Sequence, residues 1–180
     1  TASLLAGILR GAGIATVHNH AGANMPGGIA SALLQAEGQD ALPGATGIFE
    51  VDEAWAAGLA SQLQPDVIVL ANLFRDQLDR YGELETLADS WARMIAGLPA
   101  GTTVVLNADD PLLAQLPGDD PRVRVLYFGV ETDACAENEP RHAADSKFCR
   151  RCGSPLIYEL VQLAHLGSYH CDNCGLRRPS

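Results

Sequence analysis

Four cysteines near the end of the sequence have the spacing of a metal site. Cys149 and Cys152 form one C-x2-C pair, and Cys171 and Cys174 form a second pair after eighteen intervening residues, with a glycine directly behind each pair. Pairs at this spacing are typical of zinc ribbons, in which four thiolates bind one tetrahedral ion. Because four thiolates leave no coordination position for water, the pattern predicts a structural Zn2+ site and places any catalytic chemistry elsewhere.

Other interpretations of this region are weaker. Two disulfides would also account for the four cysteines, but the sequence predicts a cytosolic protein, and cytosolic proteins rarely keep disulfides. The fifth cysteine, Cys135, has no partner in its polar surroundings and is expected to be an ordinary free thiol. His165 and His170 lie between the two pairs and are expected to pack or to face solvent, since the cysteines already fill the coordination sphere.

Three polar regions follow predicted strands and could bind a ligand. The first is the glycine-rich loop NHAGANMPGGI at 19–29. The second comprises FEVDEAW at 49–55 and, later, ANLFRDQLDRYGE at 71–83, and the third is LNADDP at 106–111. Ligand-binding loops of open parallel sheets lie at the carboxyl ends of their strands, so this placement favours a binding site built from several of these segments.

The elements that must position these segments alternate between strand and helix patterns. Strands are predicted over 14–18, 46–51, 66–71, 102–106 and 123–128, and helices over 2–11, 27–36, 53–62 and 83–98. The last helix has the clearest apolar face, formed by Leu84, Leu87, Ala88, Trp91, Met94, Ile95 and Leu98. The alternation predicts an α/β domain over 1–145, with a mostly parallel sheet flanked by helices.

After Gly129 the sequence becomes a polar linker that leads to the cysteines. Residues 146–180 are predicted to form a separate compact β unit, the zinc ribbon. Within it, LIYELVQL at 156–163 is strand-like, and a turn is expected at Gly167.

Charge and hydropathy narrow the possible partners. The 180 residues carry a formal net charge of -10, which would repel a phosphate backbone, so nucleic-acid binding is not expected. No apolar run is long enough to be a transmembrane segment, and no signal peptide is recognisable, which favours a cytoplasmic protein. Lys147, beside the cysteines, is the only lysine of the sequence.

The order, sequences and spacing of the three polar regions resemble those of the central ATPase domain of the Mur ligases, and the resemblance covers nearly the whole chain. Members of this family have a P-loop-type sheet and form amide bonds at the expense of ATP. The NLFRDQLDRYGE motif, together with a four-cysteine insertion after HAADSKFC, resembles the ligase-like subunit in the branch of the family that amidates lipid II.

The resemblance implies roles for several polar side chains. Glu50 matches an acidic Mg2+ ligand, with Asp52 and Glu53 less certain. The residues implied in binding ATP or its metal are Asn24, Glu50, Asn72, Arg75, Asp76 and Asn107. Gln77 stands where ligases that add free amino acids usually have histidine, so it stays open whether a second Mg2+ is bound.

Structural roles remain open for the same residues. Glu50 could cap a helix, and the loop at Asn24 could be a plain tight turn. Asp110, before a proline, has the pattern of an N-cap, and Asp79 could cap a helix beginning near Gly82.

By resemblance, Thr1 directly follows the family's phosphate loop, so the sequence would lack both that loop and the C-terminal domain. The isolated 180 residues are therefore expected to bind ATP feebly and to be inactive, and no catalytic residue is assigned. The phosphate-loop lysine would be missing, because Lys147 stands beside the ribbon instead.

For the whole protein, the resemblance implies ATP-dependent activation of the α-carboxylate of D-glutamate in the stem peptide of lipid II. Ammonia would come from a glutamine amidotransferase subunit, GatD in that family, giving a heterodimer at the inner face of the membrane with Zn2+, ATP and Mg2+ as cofactors. Two rivals are a zinc-ribbon interaction module without catalysis and a folylpolyglutamate synthase or other amino-acid-adding ligase. The cysteine insertion and Gln77 disfavour the second rival.

Overall fold

A computed structural model describes residues 1–20, 22–74, 83–118, 121–131 and 146–180. The chain divides into two compact units, Thr1–Leu59 (unit 1) and Ala60–Ser180 (unit 2). No helix within the described ranges combines the length and the apolar composition that crossing a membrane requires.

Unit 1 is built around two short parallel strands. Its elements are α1 (Ala2–Gly11), β1 (Thr16–His18), α2 (Pro26–Glu37), β2 (Thr46–Ile48) and the first part of α3 (Ala56–Leu63). Thr16 of β1 lies opposite Thr46 of β2. Pro26 begins α2, a position where its missing N–H leaves no hydrogen bond unmade. The apolar residues Ala6, Val17 and Ile29 are buried.

Unit 2 contains a three-stranded parallel sheet. The strands β3 (Val67–Leu70), β4 (Thr103–Asn107) and β5 (Arg124–Phe128) pair in that order, so β4 is central. Val104 and Leu106 of β4 are fully buried. The face of β3 that carries Val67 and Val69 is exposed, whereas Leu70 is buried.

The helix between β3 and β4 confirms the predicted apolar face. This helix, α4, spans Glu83–Ala96. Of the seven residues predicted to share its face, all are buried except Leu87, which is half-buried. The predicted α/β class with parallel strands is therefore confirmed, with the parallel strands in sheets of two and three strands.

The C-terminal part of unit 2 is an antiparallel hairpin. Its strands are β6 (Ile157–Leu163) and β7 (Leu166–His170). The predicted turn at Gly167 is wrong, because the chain turns at Ala164, whose φ of 54° lies in the left-handed region that alanine seldom adopts. Gly167 belongs to β7, where a Cβ atom would collide with the backbone carbonyl of Leu160. The glycine marks close strand packing, not a turn.

Candidate functional site

The four predicted cysteine ligands converge on one point. Their Sγ atoms all lie within 4.8 Å of one another. The Sγ atoms of Cys149 and Cys174 are 3.6 Å apart, and those of Cys152 and Cys171 are 3.5 Å apart. A disulfide would need about 2.05 Å, whereas two sulfurs on a tetrahedral Zn2+ with bonds of about 2.3 Å lie about 3.8 Å apart. The arrangement fits one tetrahedral metal ion and excludes the disulfide alternative.

Each cysteine pair is shaped by the same short turn. The carbonyl of Cys149 accepts the N–H of Gly153 over 2.7 Å, and that of Cys171 accepts the N–H of Gly175 over 2.9 Å. Both glycines have positive φ, 75° and 71°, which a side chain would oppose. The N–H of the first cysteine in each pair donates to the carbonyl five residues later, over 2.7 and 2.8 Å. Two equivalent knuckles therefore present the thiols.

The environment of the thiols differs across the cluster. Burial raises the pKa of the Cys149 thiol. Hydrogen bonds from the Asn173 side chain and from the backbone and side chain of Ser154 lower the pKa of Cys152. Since Zn2+ binds thiolates, metal binding must displace the proton from the buried Cys149, while Cys152 is already predisposed to ionise.

The ribbon shares a hydrophobic core with the turn that follows β4. Cys149, Cys171, Leu156 and Tyr169 are buried in one cluster with Ala114, which lies in that turn. The Tyr169 hydroxyl also donates to the carbonyl of Ala108, directly after β4, over 3.2 Å. Within unit 2, the ribbon therefore packs on the segment that follows the central strand.

Asp109 forms the first of two carboxylate contacts between that segment and the ribbon. Arg178 Nε donates to Asp109 Oδ1 over 2.7 Å, and the two side chains are 12% and 3% exposed. The other carboxylate oxygen accepts the N–H of Val130 over 2.9 Å, and the Asp109 carbonyl accepts the N–H of Gly167 over 3.0 Å. Burial alone would lower the pKa of Arg178, but its hydrogen bonds to Asp109 and Glu131 raise it overall. The guanidinium thus stays charged and paired.

Asp110 forms the second contact and is completely buried. Its Oδ1 accepts the N–H groups of Leu112 and Leu113 over 2.9 and 3.4 Å, which is the N-cap geometry predicted from the sequence. Its Oδ2 accepts the N–H of Leu73, behind β3, over 3.1 Å. The Nε2 of His165, also fully buried in the hairpin turn, lies 3.5 Å from the same oxygen. One carboxylate therefore joins the ends of two strands and the ribbon.

Two predicted nucleotide-binding residues meet at this edge of the sheet. The side-chain amide of Asn107, at the end of β4, donates to Oδ1 of Asn72, behind β3, over 2.9 Å. Asn107 Oδ1 accepts the N–H of Asp109 over 2.9 Å. Both polar atoms of the Asn107 side chain, which is 4% exposed, are therefore hydrogen-bonded. Arg75 and Asp76 follow Asn72 closely in sequence but lie outside the described residues, as do Gln77, Asp79 and Cys135.

Glu50 lies at the corresponding edge of unit 1. Its Oε2 accepts the N–H of Ala2 over 3.3 Å, in the first turn of α1, and lies 3.4 Å from the nitrogen of Thr1. This is the helix-capping geometry that the sequence left open beside Mg2+ binding. The side chain is 59% exposed, so the carboxylate remains accessible to a metal ion as well.

The sequence reasoning missed Asn19, which organises this edge. Its Nδ2 donates to the carbonyls of Ala23 and Glu50, both over 2.7 Å, and its Oδ1 accepts the N–H of Glu50 over 2.9 Å. The carbonyl of Asn24, another predicted site residue, accepts the N–H of Asp52 over 2.9 Å. An asparagine immediately behind a predicted strand was the available signal. Asn19 fixes the loop after β1 beside the residues after β2.

Comparisons with known proteins identify the fold family. The family model described as "Mur ligase middle domain" matches residues 1–174. The MurT subunit of the glutamine-hydrolyzing lipid II isoglutaminyl synthase is 32% identical over 178 residues in Staphylococcus aureus (strain COL) and 33% identical over 179 residues in Streptococcus pneumoniae (strain ATCC BAA-255 / R6). A solved pseudomurein peptide ligase type C from Methanothermus fervidus matches with a TM-score of 0.70 and 25% identity, over 99% of this chain and 34% of its own. The resemblance to Mur ligases is confirmed.

The relatives are longer than this chain. Each MurT alignment covers 99% of the present sequence but 39% of the relative. The family match nevertheless extends through the ribbon to residue 174, the position of its last cysteine.

Proposed function

The chain belongs to the Mur ligase middle-domain family, and on that premise we propose that it is the nucleotide-binding part of a MurT-like subunit of lipid II isoglutaminyl synthase. The observation that carries the proposal is the similarity to MurT along 99% of the chain. The complete subunit activates the α-carboxylate of D-glutamate in the lipid II stem peptide with ATP. ATP phosphorylates this carboxylate and leaves as ADP, and ammonia then displaces phosphate from the acyl phosphate to give D-isoglutamine.

The surroundings of the Glu50 carboxylate suit a Mg2+ ion. The Glu50 carboxylate is a hard oxygen ligand, is more than half exposed, and sits at the N-terminal turn of α1. Bound there, Mg2+ would offset negative charge on the transferred phosphoryl group. Asn19 contributes by holding the backbone of Glu50 through two hydrogen bonds, which fixes the point from which the side chain extends. Asn24 is proposed to border the phosphates from the adjacent loop.

The strand ends of unit 2 carry further residues that we assign to nucleotide binding. Asn107 and Asn72 are joined through their amides, which fixes their side chains at the carboxyl edge of the sheet, where ligands of such sheets bind. We assign Arg75 and Asp76 to the same ligand set. Asp110 is a positioning residue for Asn72. Its carboxylate accepts the N–H of the adjacent Leu73 and so holds the backbone there.

The zinc ribbon has a structural role in this proposal. Four cysteines at the observed distances fill the coordination sphere of Zn2+, so the ion would hold the two knuckles together and bind no substrate. We assign residues 146–180, which lie within unit 2, to the ribbon, as a segment inserted into the Mur ligase domain. Its contacts with Asp109 and Asp110 then brace the edge that carries Asn107.

The proposed partners follow from the similarity to MurT. The glutamine amidotransferase GatD would supply ammonia within a heterodimer. Lipid II is a lipid-linked substrate, so the complex would act from the cytoplasm at the inner face of the membrane. Nucleic acid is not among the proposed partners, because the net charge of -10 opposes it.

The decisive experiment uses the full-length protein with its amidotransferase, lipid II, ATP and glutamine. Mass spectrometry should show the change that accompanies replacement of a carboxyl hydroxyl by an amino group. Product formation should require both subunits unless ammonium replaces glutamine. An unchanged lipid II mass under all these conditions would reject the proposal and favour a non-catalytic ribbon module.

Substitution of Glu50 tests the proposed metal site. Glu50→Gln removes the anionic ligand at nearly constant size, and we expect the amidation rate to fall at least about a hundredfold, with partial recovery at high Mg2+. Glu37→Gln, an exposed change at the end of α2, is the matched control. Equal rates for the two variants would remove Glu50 from the metal site.

A further inference from the structure

A polar cleft lies between the ribbon and the turn behind β4, entirely within unit 2. It has a volume of about 460 Å³, and its lining includes Gln115, Tyr127 and Tyr169 together with three arginines. None of Asn24, Glu50, Asn72 and Asn107, the described residues assigned to nucleotide or Mg2+, is among the lining residues. Among the described residues, the cleft therefore shares none with the proposed nucleotide site.

The three arginines of the cleft are Arg150, Arg151 and Arg177. Two of them occupy the middle of the first knuckle, between Cys149 and Cys152, and the third closely follows the second knuckle. The folded knuckles thus bring together guanidinium groups that lie up to 27 positions apart in the sequence, from Arg150 to Arg177. Metal binding and the shape of this cleft are consequently linked.

The charge of the cleft is opposite to that of the chain. The sequence has 22 acidic and 12 basic residues, yet the lining residues within the described ranges include three arginines and no aspartate or glutamate. Arg150 is paired with Asp89 of α4, whereas Arg151 and Arg177 are exposed. Such a concentration of positive charge in an acidic protein attracts an anion.

The donors favour a phosphate-bearing ligand. A guanidinium offers several N–H groups in a planar fork that matches phosphate oxygens in pairs. The forks of Arg151 and Arg177 are exposed, and the cleft volume of about 460 Å³ leaves room for more than one phosphoryl group. We propose that this cleft binds a diphosphate, either on a soluble nucleotide or on a lipid carrier. The inference stands apart from the proposed ligase activity.

Two acidic residues provide the main competing occupant. Asp119 and Asp120 directly follow Gly118, which lines the cleft, and both lie outside the described residues. If these carboxylates pair with Arg151 and Arg177, the cleft is an internal ion-pair site. The test must therefore include them.

Calorimetric titration of the zinc-loaded chain with inorganic pyrophosphate tests the proposal. We expect saturable binding that weakens at least about tenfold in the Arg151→Gln/Arg177→Gln double variant, since hydrogen bonds to charged groups are worth a tenfold change or more. Arg93→Gln, an exposed change of the same type on α4, should bind pyrophosphate like the unsubstituted chain. ADP and vesicles carrying a polyprenyl diphosphate then distinguish the two sources, and preferential binding of either supports the site.

Three results would overturn the proposal. The first is no pyrophosphate binding by the unsubstituted chain at millimolar concentration. The second is an equal loss of binding in the double variant and in Arg93→Gln. The third is binding that appears only in an Asp119→Asn/Asp120→Asn variant, because the acids would then be the natural occupant. Lipid II amidation is measured separately, so failure here leaves the ligase proposal untouched.

Discussion

The two polar centres of unit 2, the cysteine cluster and the loop at 107–110, are built in opposite ways. Each pair of thiols is presented by a turn whose hydrogen bonds span four or five residues. By contrast, the side chains of the loop also contact distant partners, such as Asn72, which is 35 positions from Asn107, and Arg178, which is 69 positions from Asp109. The first centre repeats a local motif, and the second exists only when distant segments have packed.

Because the two centres are built differently, we expect them to lose their structure in different ways. In the proposed function an ion ties the two preformed knuckles of the cysteine cluster together, so loss of the cluster should be abrupt and specific to the metal. The loop depends on several buried hydrogen bonds, so its weakening should be graded by how many N–H groups lose their acceptor. The contacts of Asp109 and Asp110 with the ribbon connect the two centres.

Removal of the metal should have the largest effect. Cys152→Ser replaces an exposed thiol without opening a buried cavity, and we expect loss of stoichiometric Zn2+ and of several kcal/mol of stability, since structural zinc contributes about 10 kcal/mol or more in small domains. Hydrogen exchange should show lost protection first in β6 and β7 and then at 107–114, while α4 stays protected. Cys135→Ser is the matched control and should keep Zn2+. Full protection at 107–114 after metal loss would show that the loop is independent of the ribbon.

Asp110→Ala should have the next largest effect. It leaves the N–H groups of Leu73, Leu112 and Leu113 without their acceptor and removes the carboxylate beside His165, so we expect a loss of about 3–5 kcal/mol. Urea unfolding of the zinc-loaded chain measures it, with the exposed Asp66→Ala as control. A loss below about 1 kcal/mol would contradict the assignment of Asp110 as the central acceptor.

Arg178→Gln should have an intermediate effect. It breaks the ion pair with Asp109, which is nearly buried, and we expect a loss of about 1.5–3 kcal/mol, the usual range for hydrogen bonds to charged groups. The adjacent Arg177→Gln is exposed and should change stability by less than about 0.5 kcal/mol. Gly129→Ala should reproduce part of the Arg178 effect, because its Cβ atom would collide with the guanidinium and the carboxylate. Equal unfolding midpoints for the two arginine variants would refute the pair's contribution.

The Asn72–Asn107 contact should have the smallest effect. A double-mutant cycle with alanine at both positions should give a coupling energy of about 0.5–1.5 kcal/mol, since one neutral hydrogen bond is removed. The same double-mutant cycle, with the amidation rate of the full-length protein as the measured quantity, tests whether this pair also contacts the nucleotide. A coupling in rate no larger than the coupling in stability would limit the pair to a structural role.

The secondary elements were largely predictable because their patterns are local. The apolar spacing of α4 was recovered in the buried residues, and β4 and β5 begin within one residue of their predicted starts. The hairpin turn was not predictable, because Ala164 takes a left-handed conformation without glycine, asparagine or aspartate as a signal. Gly167 misled the prediction because close packing against Leu160, like a turn, requires glycine.

The cysteine spacing by itself determined the two knuckles of the cysteine cluster, because each knuckle is complete within a few residues and needs only its own backbone and glycine. The tertiary structure alone decided what that centre supports. Asp110 satisfies the N-cap pattern that the sequence displays, but its contacts with Leu73 and His165 arise because β3, β4 and the hairpin pack together. Local hydrogen bonds can be read from spacing, whereas a buried carboxylate's distant partners are set by the packing that excludes water around it.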